Sequence, residues 1–103
     1  MGAESTILAK YRPRGFTKGT ELLLGKSDAL DFIEDCERLG LTILGLDFYE
    51  GPEPNVTETL APADYSSLSG QPDRVARSAR AARELIGGGL VDGARWVSFV
   101  VGD

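Results

Sequence analysis

Residues 27–50, SDALDFIEDCERLGLTILGLDFYE, carry the clearest structural signal in the chain. Ser27 is placed to cap a helix, because a serine hydroxyl accepts a hydrogen bond from an otherwise unpaired first-turn amide. Asp28 and Asp31 add negative charge to that turn, where the helix dipole favours it. Ala29, Phe32, Ile33, Cys36 and Leu39 recur at helical spacing, with Glu34, Asp35, Glu37 and Arg38 on the other side. Gly40 ends the helix, since glycine takes the left-handed position past a helix end without strain. Leu41 to Tyr49 then predicts a strand buried on both faces, so rich is it in Leu, Ile, Phe and Tyr.

Asp47 interrupts that apolar run. By strand alternation it shares a face with Ile43, Gly45 and Tyr49. A carboxylate there needs a partner or the strand's wet end, because burying it bare is costly. The commoner arrangement is a structural Asp that accepts backbone amides or pairs with an arginine.

On the N-terminal side, Ser5 to Tyr11 alternates Ile7, Ala9 and Tyr11 against Thr6, Leu8 and Lys10, which predicts a first strand. Arg12-Pro13-Arg14-Gly15 breaks it. Thr20 to Leu24 is a second, shorter strand, with a hairpin to the first as its expected partner. Lys10, Arg12, Arg14, Lys18 and Lys26 make this quarter locally basic, as a solvated hairpin tip would be.

On the C-terminal side, residues 50–70 lack periodicity and hold three prolines, which predicts a long irregular segment pinned by Leu60, Tyr65 and Leu68, with a helical turn over Asp64 to Leu68. Loops this long within a compact domain are often functional. Pro72 and Asp73 open a second helix running to about Ile86, with Val75, Ala79, Ala82 and Ile86 as its buried stripe. Arg74, Arg77, Arg80 and Arg83 fan round its exposed side, where acidic neighbours are their expected partners. Gly87, Gly88 and Gly89 end it. They follow a helix rather than open one and lack a Lys-Ser/Thr pair, so they are no phosphate loop. Arg95 to Val101 is the last strand, bulky and β-prone. The expected fold is therefore α+β over residues 1–103 as one domain. Its sheet is mostly antiparallel and four-stranded, with two helices packed on one face, in the order β-β-α-β-loop-α-β.

Composition excludes several function classes. The chain has 103 residues, 42% of them hydrophobic, and a net charge of −5. Such a composition is that of a globular protein, and its acidity argues against nucleic acid as a partner. From Asp28 to Asp64 ten acidic side chains face Arg38 alone. There is no histidine, which removes His-based triads and metal sites. The single cysteine, Cys36, lies on the apolar helix face and suits packing better than redox work. No apolar run is long enough to span a membrane, and no signal peptide is evident, so no membrane partner and a cytoplasmic location are expected. The opening Met-Gly-Ala-Glu-Ser-Thr fits the loose myristoylation outline, and Asn55-Val56-Thr57 is a sequon with no consequence in the cytoplasm.

Asp47 with Glu50 or Glu53 supplies the carboxylate pair that some hydrolases use. Nothing sets their separation, and their spacing matches no EF-hand loop. No catalytic residue, metal or cofactor is expected. An acidic patch beside a proline-rich loop suits a binding module better, since complementary charge speeds encounter with a basic protein. Asp47, Tyr49, Glu50, Glu53, Glu58, Asp64 and Tyr65 are the expected partner-binding residues, with the tyrosines as aromatic anchors.

The block DALDFIEDCERLGLTILGLDFYE resembles a stretch of immunity proteins of bacterial polymorphic toxin systems. That family carries an Ala-Leu helix, a Leu-Gly break and a strand ending Leu-Gly-Gly-Asp-Val-Tyr. Ala29, Leu30, Leu39, Gly40, Ile43, Leu44, Gly45, Asp47 and Tyr49 stand at the matching positions. Ser78, Ala82 and Ile86 fall on the family's later helix, and Trp96 to Val101 on its terminal strand. Leu46 replaces the second glycine, Phe48 replaces a valine, and the family's Asn-Trp pair is missing from the middle loop. The resemblance implies a cytoplasmic inhibitor that occludes a cognate, basic toxin. Two other classes stay open on the residues alone. A small-molecule-binding or regulatory α+β module without catalytic activity would be stabilised by ligand in the absence of any protein partner. A structural subunit would form a constitutive dimer.

Overall fold

The computed structural model describes residues 2–52, 55–58, 63–88 and 95–102. Its elements run α1 (Ala3–Tyr11), β1 (Phe16–Lys18), β2 (Glu21–Leu23), α2 (Lys26–Leu39), β3 (Thr42–Glu50), β4 (Thr57–Glu58), β5 (Ala63–Asp64), α3 (Arg74–Gly87) and β6 (Trp96–Gly102). Short 3-10 turns cover Arg12–Arg14 and Ser66–Leu68. The fold is α+β, with three helices and antiparallel strand pairings throughout the described residues.

β3 is the axis. β6 pairs along it from Thr42↔Gly102 to Tyr49↔Trp96. On its other edge lie β4, through Tyr49↔Glu58, and β5, through Gly45↔Asp64. The β1–β2 hairpin joins the far edge of β6 through reciprocal backbone bonds between Leu24 and Val97, 2.9 and 2.8 Å long. The strand assigned to Ser5–Tyr11 is instead helix α1. Ala3, Ile7, Leu8 and Tyr11 all meet the core, a spacing of three and four that a helix satisfies and a strand does not. The second strand therefore pairs with Phe16–Lys18, which lies close enough for a tight turn at Gly19 and Thr20.

α2 starts two residues earlier than expected, with Gly25 at its N-cap and no side-chain cap, so Ser27 does not perform that role. Its end is as expected. Gly40 sits at φ 74°, and its amide and that of Leu41 close the last turn onto Glu37 and Cys36 carbonyls. Ala29, Phe32, Ile33 and Cys36 are buried, while Leu39 at the helix end is exposed. α3 begins at Arg74 behind Asp73 rather than at Pro72, and it buries Ser78, Ala79, Ala82 and Ile86.

The helices occupy one side of the sheet. Their core includes Phe32, Ile33, Ile86, Leu46, Phe48, Val97 and Val101. Each such side chain contributes about 1.5–3 kcal/mol on burial. A bulge between Ile43 and Gly45 adds one residue to β3. Ile43 thereby joins Leu46 and Phe48 on the helix side, away from the face of Asp47 that simple alternation predicts. At that bulge the Ile43 amide donates to Ser78 Oγ, 3.0 Å away on α3. The small residues of α3 allow this close approach.

Candidate functional site

The side of the sheet away from the helices gathers the chemistry. Strand pairing places Asp47 and Tyr49 of β3, Ser98 and Val100 of β6, Glu58 of β4 and Asp64 of β5 on this outer face. Glu21 reaches the same face from β2. Its carboxylate accepts the Tyr49 hydroxyl hydrogen bond and lies 3.5 Å from Ser98 Oγ.

Beneath the charges is a second, smaller apolar cluster of Leu23, Tyr49 and Val56, flanked by Phe16 and Trp96. Phe16 and Trp96 meet edge to face at 4.7 Å, and Trp96 Nε1 donates to the Gly51 carbonyl at 3.0 Å. Lys18 lies 5.3 Å from the Tyr49 ring centroid and donates to the Val56 carbonyl. Tyr49 is thus held from three directions.

The electrostatics follow from this packing. Burial, the Glu21 hydrogen bond and the charges of Glu21, Glu58 and Asp47 together drive the Tyr49 pKa well upward. Burial, and then the Glu21 carboxylate, raises the pKa of Asp47. Asp64 is held below the usual carboxylate range because it accepts from the Ser66 amide at 2.9 Å. Asp47 has no cationic partner among the described residues, so the structural pairing with an arginine is not how it is accommodated. Next to it Gly45 leaves a shallow depression of about 460 Å³, walled by Leu44, Ala63, Asp64 and Val100. Val100 is 51% exposed.

The seven residues expected to meet a partner are distributed unevenly. Asp47, Glu58 and Asp64 converge on the outer face. Tyr49 is there too, but buried, supporting the surface from beneath. Glu50 is exposed at the end of β3. Tyr65 turns to the helix side and packs against the main core, where burial and then Glu84 raise its pKa. Glu53, like Leu60 and Gly89, lies outside the described residues. Sequence reasoning missed Glu21, which carried no local signal as one acid in a basic quarter of the chain.

Several charges on the other surfaces are paired. Arg14 bridges Asp28 and Asp31 at 2.6 and 2.7 Å, and Arg83 meets Glu37 at 2.6 Å. Arg77 contacts Asp73 at 3.8 Å. Cys36 is fully buried and its thiol is pushed up to about 12 by that burial, which makes it a core residue with little thiolate at neutral pH. Among the described residues no group of three or more acidic or cysteine side chains is placed to hold a metal ion, and no helix is long and apolar enough to cross a membrane. No family model, curated protein or solved structure matches the chain.

Proposed function

We propose that this protein is an immunity-type inhibitor that binds a basic toxin over the outer face of its sheet and does no bond-breaking of its own. The observation that carries this reading is the state of Asp47. It is half-buried beside Glu21, lacks a cation among the described residues and borders an open depression with Asp64 and Val100. A partner lysine or arginine there would relieve repulsion already present in the free protein, and its aliphatic stem would cover Val100. The resemblance of residues 28–50 to polymorphic-toxin immunity proteins supports the same class. The proposed contacts are Asp47, Glu58 and Asp64, with Glu21 behind them and Glu50 at the rim.

Co-expression with the toxin encoded beside it tests the proposal. The wild-type chain is expected to restore growth. Asp47→Lys combined with Glu58→Lys is expected to weaken toxin binding at least tenfold, about 1.4 kcal/mol. Growth that this chain does not restore would remove the toxin reading. Unchanged protection by the double variant would move the interface off this face.

A further inference from the structure

The β1–β2 hairpin has two faces. Phe16 and Leu23 turn to the small cluster around Tyr49, whereas Leu22 and Leu24 turn to the helix side and meet the main core. Thr17 pairs with Leu22 and so shares its side. Glu21 reaches Ser98 at 3.5 Å and Leu24 bonds Val97, which keeps β2 against β6 and leaves no width for a further strand between them. The room lies instead on the helix side. There a cavity of about 240 Å³ separates α1 from the hairpin. Leu8 forms one wall, Leu22 and Leu24 the other, and Phe32 and Phe99, stacked at 4.5 Å, the floor.

The docking of α1 accounts for this space. Its two buried side chains are Ile7 and Tyr11, and Tyr11 bonds Asp35 at 2.7 Å, which draws the helix toward α2 and away from the hairpin. Leu8, on the hairpin side, is left half-buried. An apolar cavity of about 150 Å³ takes up benzene, so this one has room for about ten heavy atoms, the size of octanoate.

The rim is charged. Glu4, Leu8 and Arg12 follow one another four residues apart along the cavity side of α1, with about 12 Å between the ends. Lys10 is taken by Asp35, and Arg14 by Asp28 and Asp31. Arg12 has no acidic partner among the described residues, and it borders the cavity, as do Thr17 and Thr20. A guanidinium at one end of an apolar cavity selects an anion, and its planar fork matches the two oxygens of a carboxylate.

We infer that this cavity binds a small amphiphilic carboxylate, with its headgroup on Arg12 and its hydrocarbon body between Leu8, Leu22 and Phe99. Glu4, at the other end, disfavours a second carboxylate on the tail. The site lies on the opposite side of the sheet from the outer face, so the inference does not rest on the toxin reading and its test uses no toxin.

The probe is sodium octanoate, titrated below its micellar range into the isotope-labelled full chain and followed by methyl and amide NMR shifts. The Leu8 and Leu22 methyl signals are expected to move in a saturable way, since both face the aromatic floor. Hexanoate should bind about tenfold more weakly for the two methylenes it lacks. Octylamine and octanedioate should also bind more weakly than octanoate. Arg12→Gln should weaken octanoate about tenfold, leave octanol unaffected and leave the melting temperature unchanged, because Arg12 is exposed. Arg12→Glu should reverse the preference between octanoate and octylamine. Unmoved Leu8 and Leu22 methyls, equal binding of octanoate and octylamine to the wild-type chain, or octanoate binding untouched by Arg12→Gln would each overturn the inference.

Discussion

Tyr11 and Asp35, at the facing surfaces of α1 and α2, share a 2.7 Å hydrogen bond from the phenol to the carboxylate. Lys10 lies 2.7 Å from the same Asp35 oxygen, and Arg38 binds the other. The Asp35 side chain is only 8% exposed, but the two cations are mostly in water. The phenol's bond is buried and strengthened by the carboxylate's charge, whereas the two ion pairs are screened by water. It also explains how a short first helix with few apolar residues stays docked.

Replacing Asp35 by Ala should accordingly destabilise the fold by about 2–3 kcal/mol, because it leaves the Tyr11 hydroxyl buried without an acceptor. Tyr11→Phe should cost only about 1 kcal/mol, since the ion pairs survive. Urea unfolding of the two single variants and the double variant checks this. The double variant should be little worse than Asp35→Ala alone, because the same bond is lost in both.

Ser78→Ala is expected to act at a distance from any surface. Ser78 Oγ takes the Ile43 amide at the β3 bulge and donates in turn to the Val75 carbonyl at 3.2 Å. Removing it strands a buried amide, at about 1–3 kcal/mol. Native-state hydrogen exchange should show the Ile43 amide accelerating more than its neighbours on β3.

The segment from α2 to β3 was legible because several local signals agree there: helical spacing, a left-handed glycine and a continuous apolar strand. The first helix was not. Over seven residues Ile7, Ala9 and Tyr11 fit a period of two as readily as Ile7, Leu8 and Tyr11 fit a helix, and the contact with Asp35 that separates the two lies 24 residues away. The Ile43 side chain was assigned to the wrong face because a bulge is invisible to alternation. At the site, Asp47 stood out as a charge in an apolar run. Glu21 did not, since its meeting with Tyr49 spans 28 residues and depends on how the hairpin joins β6.

The Asp47–Glu21 proximity sets a pH dependence. Burial and the Glu21 charge raise the folded-state pKa of Asp47 above its ordinary 3.8, so the folded chain holds that proton more tightly than the unfolded one. The resulting stabilisation is present below 3.8 and is lost as pH rises through the folded value. Asp47→Asn cannot ionise and should therefore be more stable than wild type at pH 7. The advantage should vanish near pH 3. Thermal denaturation at the two pH values decides it, and a variant less stable at pH 7 would show that Asp47 has a stabilising partner.

The three tyrosines give the converse test in alkali. Tyr11, Tyr49 and Tyr65 all have pKa values raised by burial, with the Glu21 hydrogen bond adding to the effect at Tyr49. Their ordinary value is 10.0, and each proton is bound more tightly in the folded chain. The stability they confer is thus intact below pH 10.0 and declines as pH rises above it. Absorbance at the phenolate band should stay low when the folded protein passes through pH 10, then rise together with loss of the far-ultraviolet circular dichroism. Glu21→Gln keeps an acceptor for Tyr49 but removes the charge, so it should lower the pH at which Tyr49 ionises. If phenolate appeared in full near pH 10 with the fold intact, Tyr49 would be open to solvent and the outer face would be less tightly built than the Tyr49–Glu21 bond requires.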